Sequence, residues 1–292
     1  MSTPRELLPT ALKAVSLARE LVHNRPVGVV TAKGDRDMVS EMDLAIERAV
    51  RDFLQRETPS IGFLGEEEGA TAGDDELMWT LDPIDGTANF VHGLPLCGIS
   101  LGLVQGKRPV LGVIDLPFLE TRYSAAEHHG AYANEQRLHT SPTSSLSDAV
   151  VALGDYAVGA DAAPKNRLRL ALTEQLAAKA QRVRMLGSVA IDLAWVAEGK
   201  LDASITLSNK PWDMAAGVII AREAGAQVID RDGSPYTLDS TATIAITASL
   251  LDEIRDLLQE LDAKTAQPGA SYRRSDAEDS NSGRRDNRSR SC

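Results

Sequence analysis

Asp82 and Asp85 stand three residues apart in the run Trp79-Thr80-Leu81-Asp82-Pro83-Ile84-Asp85-Gly86-Thr87-Ala88-Asn89-Phe90. Two carboxylates held close in a turn repel each other unless a cation lies between them. Hard divalent cations such as magnesium take oxygen ligands and keep waters for a substrate. Directly afterwards Thr87 and Asn89 open what reads as a helix, and the free amides and positive dipole end of a helix can hold a phosphate. A metal site and a phosphate site would therefore be adjacent. A lone D-x-x-D is more commonly an ordinary strand end with an Asx turn and a helix cap; the full D-P-I-D-G-T string is far more specific.

The elements that must position these residues follow from pattern. Met78 to Leu81 is a short apolar run with Trp79 and Thr80, and reads as a strand. Pro83 fixes its own φ and is expected to stop that strand, while Gly86 permits a tight turn. Upstream, Leu8, Leu12, Val15, Ala18 and Val22 recur at helical spacing. Ser40-Glu41-Met42-Asp43 reads as a capping box opening a second helix, and Val27 to Asp37 between the two reads as a loop with Lys33-Gly34-Asp35 at its tip. From Ile61 the pattern changes to short strands, then from Val150 to alternating strands and helices, with Asp213 at the head of a helix running from Met214 to Ala224. Mixed strands and helices in this order predict a layered α/β protein.

Together with Leu64-Gly65-Glu66-Glu67 upstream and Pro211-Trp212-Asp213 downstream, the D-P-I-D-G-T string resembles the inositol monophosphatase family of magnesium-dependent phosphatases, over roughly Ala14 to Leu261. The resemblance implies a five-layered αβαβα sandwich over residues 1–264, with subdomains of about 1–145 and 146–264, and a homodimer. It implies two to three Mg2+ ions. Glu66, Asp82 and the backbone carbonyl of Ile84 would hold one, Asp82, Asp85 and Asp213 a second, and Glu66 with waters a weaker third. Asp43 and Thr87 match the pair that activates the attacking water, next to Glu66. Gly86, Thr87 and Asp213 would meet the phosphate ester, and Gly187-Ser188-Val189 resembles the segment that contacts the leaving group. Lys33 falls in the stretch that resembles a mobile lid.

One position departs from that pattern. Inositol-type relatives carry a glutamate seven residues before the metal aspartate, where this chain has Thr206. A neutral hydroxyl cannot accept hydrogen bonds as a carboxylate does, so a glutamate at 206 is expected to tighten binding of a polyol. The implied activity is metal-assisted hydrolysis of inositol 1-phosphate or a similar small polyol or sugar phosphate. Histidinol phosphatase, fructose-1,6-bisphosphatase and adenosine bisphosphate phosphatase activities share the fold. A family member retained as a regulatory binding module is the alternative of another class, and intact carboxylates speak against it.

Composition narrows the rest. A formal charge of -11 over 292 residues speaks against nucleic-acid binding, which needs a basic surface. Cys97 reads as a buried thiol and Cys292 is terminal; neither belongs to a zinc or disulfide pattern. His92 and His129 read as surface residues, because this chemistry needs no imidazole. No signal peptide or membrane span is legible, so the expected location is the cytoplasm. Residues 265–292, with six arginines against four carboxylates and almost nothing apolar, read as a disordered tail.

Overall fold

The computed structural model describes residues 3–24, 28–34, 37–73 and 76–265. The chain opens with helix α1 (Pro4–Asn24), a hairpin of β1 (Val30–Gly34) and β2 (Asp37–Ser40), and helix α2 (Glu41–Glu57). Strands β3 (Gly62–Gly65), β4 (Gly69–Thr71) and β5 (Leu77–Asp85) follow, then a short helix α3 (Thr87–Val91). Next come β6 (Gly98–Gln105), β7 (Arg108–Leu116), β8 (Thr121–Ala126), β9 (Ala131–Ala133) and β10 (Gln136–Arg137). The second run alternates: β11 (Val150–Leu153), α4 (Ala162–Lys179), β12 (Arg182–Arg184), α5 (Val189–Ala197), β13 (Ala203–Thr206), α6 (Pro211–Glu223), β14 (Gln227–Ile229), β15 (Thr243–Ile246) and α7 (Leu251–Thr265).

Strands β3 to β10 form one sheet in the order β10-β9-β8-β7-β6-β5-β3-β4, and the later strands a second, β12-β11-β13-β15-β14. Helices α1 and α2 cover the outer face of the large sheet; α5 and α6 lie between the two sheets; α4 and α7 cover the outer face of the small one. The layers therefore run αβαβα, as expected. Residue types follow the layers. α1 and α2 bury one stripe, for example Leu7, Ala11, Ala14, Ala18 and Val22 in α1, because their other side faces water. α6 is buried without interruption from Met214 to Ala221, as a helix packed between two sheets must be.

Two parallel strand pairs set up the functional region. β3 runs parallel to β5 with Gly65 opposite Leu81, and β11 runs parallel to β13 with Leu153 opposite Ile205. Parallel pairing brings C-terminal ends side by side, so residues that follow one strand meet residues that follow its neighbour. The first turns of α5 and α6 lie at the same place.

Three local expectations need correcting. The stretch read as a loop before α2 contains the antiparallel hairpin β1–β2; residues 35–36 and the side chain of Lys33 lie outside the described residues. Pro83 does not stop β5. The strand continues to Asp85 through a register shift against β6 between Asp82 and Asp85, and a bulge leaves unpaired the position where proline has no N–H to give. Asp213 does not precede its helix: α6 starts at Pro211 with Lys210 as N-cap, which puts Asp213 inside the first turn. No helix among the described residues is long and apolar enough to cross a membrane. His92 and His129 are exposed, and Cys97 is buried.

Candidate active site

Glu66 follows β3 and its backbone N–H donates to Leu81 O at 3.2 Å, which places it beside Asp82 at the end of β5. Asp213 reaches the same point from α6. Ligand oxygens of Glu66, Asp82 and Asp213 lie within 4.8 Å of one another. Asp82 is 3% exposed. Burial, and then the charges of Glu66, Asp85, Asp213 and Asp43, push its carboxyl well above the usual carboxylate range. Converging anions in a desolvated site are what a hard cation relieves, so the donor set fits the magnesium that the sequence implies. The backbone accommodates it: Ile84 N donates to Asp82 Oδ1 at 3.0 Å, and Thr87 Oγ1 donates to Ile84 O at 3.0 Å. Lys210 Nζ lies 3.9 Å from Glu66 Oε1 at the rim of the cluster.

Asp85 lines the same cavity of about 240 Å³ as Glu66, Asp82, Gly86, Thr87 and Asp213, but its carboxylate is not one of the three converging groups. Its Oδ2 accepts from Ser188 Oγ at 2.5 Å and from Ala190 N at 2.6 Å, at the head of α5. Burial raises it to about 6, against the opposing pull of those two donors. Asp85 thus locks the metal-facing turn to the Gly187-Ser188-Val189 segment. Asn89 makes the second stitch, its Nδ2 donating to Leu96 O and Leu186 O, both at 2.7 Å. Gly86 sits where the two loops cross: its φ is +87°, and a Cβ there would lie 3.0 Å from the carbonyl oxygens of Gly187 and Leu96. With that φ and those contacts any larger residue would be strained here. Ser188 also caps α5 by accepting from Ile191 N.

Asp43, in the first turn of α2, is fully buried. Ser40 N and Oγ donate to its Oδ2 at 2.8 and 2.6 Å, the reciprocal capping box expected. One turn later stands a residue that sequence pattern does not reveal. Glu47, also fully buried, accepts from Glu67 N at 2.8 Å, Glu68 N at 2.9 Å and Arg51 Nη2 at 2.6 Å. It clamps the loop that presents Glu66. Gly65 is glycine because a Cβ there would sit 2.2 Å from the Glu47 carboxyl. Its only signal in the sequence is an acidic residue four places after Asp43, a spacing that reads equally as helix surface.

The second cavity, about 260 Å³, adjoins the first through Asp85, Asp155, Gly187, Lys210 and Asp213 and extends to Gly154, Arg169, Ser188, Asp192 and Thr206. Thr206 closes β13 and is 4% exposed.

The profile of the inositol monophosphatase family matches residues 5–267. The chain belongs to that family. Among its relatives, Inositol monophosphatase 1 of Solanum lycopersicum is 35% identical over 265 residues, covering 87% of this chain and 95% of its own. A Thermotoga maritima protein named fructose-1,6-bisphosphatase/inositol-1-monophosphatase is 34% identical over 254 residues, covering 85% and 95%. The solved structure of the extragenic suppressor protein suhB from Bartonella henselae superposes with a TM-score of 0.82 at 30% identity, covering 87% of this chain and 98% of that one. The five-layered fold is therefore the family fold, and the protein is a phosphatase. Both cavities lie beyond C-terminal ends of parallel strand pairs, the place where open α/β sheets bind ligands.

Proposed function

We propose that the protein hydrolyses inositol 1-phosphate or a similar small polyol or sugar phosphate, with magnesium held by Glu66, Asp82 and Asp213 and completed by Asp85 and the Ile84 carbonyl. The observation that carries this reading is the convergence of three carboxylates from three separate stretches of chain within 4.8 Å. Magnesium, two to three ions of it, would supply the positive charge that the phosphoryl oxygens need and make water a better nucleophile. The chain's own groups do the rest. Thr87 Oγ1 donates its hydrogen bond to Ile84 O, which leaves its oxygen lone pairs to accept from the attacking water, with Asp43 and Glu66 as the groups that orient it. Gly86 and Thr87 face the phosphate, and Gly187, Ser188, Val189 and Thr206 line the space for the leaving alcohol. Residues 1–264 act as one catalytic unit in a cytoplasmic homodimer, with Lys33 in the lid.

Phosphate release from a panel of esters, with magnesium and with EDTA, tests this. Turnover of inositol 1-phosphate that vanishes in EDTA and returns with magnesium is the expected result; full turnover in EDTA would overturn the metal assignment. The Thermotoga maritima relative is named for two activities, which puts fructose 1,6-bisphosphate on the panel as the second substrate to compare.

A further inference from the structure

Two residues that line the leaving-group cavity carry a buried polar atom with no hydrogen-bond partner among the described residues: Asp192 at Oδ1 and Thr206 at Oγ1. Asp192 lies in the first turn of α5 and is 1% exposed. Burial, then the charges of Asp85 and Asp155, push its carboxyl well above the usual range. The guanidinium of Arg169, which lines the same cavity, is committed elsewhere, donating to the carbonyls of Asp155, Lys165 and Leu207 at 3.1, 3.4 and 2.9 Å. A buried carboxylate oxygen without a donor is costly for a fold. Beside Thr206 the cavity wall is Gly154, where a Cβ would lie 3.1 Å from Thr206 Oγ1; the absent side chain leaves space against that hydroxyl.

We propose that Asp192 is the specificity-determining residue of this cavity, accepting a hydrogen bond from a hydroxyl of the leaving alcohol next to Thr206. The assignment rests on the phosphatase reading above. A hydroxyl suits the pair better than an ammonium does: it donates to the carboxylate and also accepts from a threonine hydroxyl, whereas an ammonium has no lone pair to offer. Asp192 then fills the role that the missing glutamate at 206 left open, from a different element of the fold. This reverses the expectation drawn from position 206 alone. A glutamate there would add a second buried anion beside Asp192 and weaken polyol binding.

The test is a comparison of kcat and KM for inositol 1-phosphate, aminoethyl phosphate and p-nitrophenyl phosphate in the wild type and in Asp192→Asn, Gly154→Ala and Thr206→Glu. Asp192→Asn keeps the shape and removes the charge. It is expected to raise KM for inositol 1-phosphate about tenfold more than for p-nitrophenyl phosphate, with the loss on KM rather than kcat, and without lowering Tm. Gly154→Ala should shift selectivity in the same direction, and Thr206→Glu should raise KM for inositol 1-phosphate. Equal changes for all three esters, a lowered KM in Thr206→Glu, or a wild type that prefers aminoethyl phosphate would each overturn the assignment while leaving the phosphatase intact. A wild type inactive on every ester would overturn both.

Discussion

Both ends of the site lie beyond the C-terminal ends of a parallel strand pair: β3 and β5 present Glu66 and Asp82, while β11 and β13 present Asp155 and Thr206. At the first end the anions converge on one point, within 4.8 Å, and the surrounding backbone is tied down by Glu47, Ser188 and Asn89. At the second end the polar atoms line a cavity and two of them go unpartnered among the described residues. The difference separates two tasks. Holding a small cation demands fixed, close oxygen atoms; holding an alcohol demands open space with polar atoms waiting on its walls. The metal end should therefore fail as a unit when one ligand changes, and the alcohol end should degrade substrate by substrate.

The largest effect should come from Asp82→Asn, which keeps shape and removes the buried charge at the centre of the cluster. Turnover with every ester should fall on the order of a thousandfold or more, measured as phosphate release at saturating magnesium. A substrate-dependent loss would break the contrast between the two ends. Next, Glu47→Gln should weaken magnesium binding by about ten- to a hundredfold, read by calorimetry on the protein without substrate. The glutamine amide nitrogen cannot accept the N–H that a carboxylate oxygen accepts from Glu67 or Glu68. Unchanged magnesium affinity would show that Glu66 needs no clamp.

Smaller effects sharpen the same picture. Without magnesium, the Asp85 carboxyl stands at about 6 in the folded protein against 3.8 for the ordinary group, so the folded state holds the proton more tightly. Stability of the metal-free protein is therefore lost as pH rises from about 4 to about 6. Magnesium binds the ionised carboxylates, so its gain in Tm should grow over the same interval; a gain that shrinks with pH would contradict the clustering of these groups. The smallest expected effect is Ser188→Ala, which removes one donor to Asp85 and the α5 cap. It should lower stability by about 1 kcal/mol, read by denaturant unfolding.

Much of the metal end is legible in the residue string itself. Asp82, Asp85 and Glu66 sit in short contiguous strings, and Asp43 announces itself through a capping box that obeys local rules. The outer helices α1, α2 and α7 are equally plain, because water on one side forces a periodic apolar stripe. Asp192 is hidden for the opposite reason. It lies in a middle-layer helix where burial on all sides erases periodicity, and an acidic residue in a first helical turn reads as favourable capping electrostatics. Glu47 is hidden because its partners, the amides of Glu67 and Glu68, are about twenty residues away and carry no side-chain signature.

The sequence by itself thus determined the kind of chemistry, the layered class and the residues fit to hold a hard cation, since these depend on residue types at short spacing. Tertiary structure alone decided that Asp85 turns to the head of α5, that Glu47 holds the Glu66 loop, and that Asp192 and Thr206 share one cavity. Those facts depend on which strand ends lie side by side, and parallel pairing joins segments whose separation along the chain leaves no local trace.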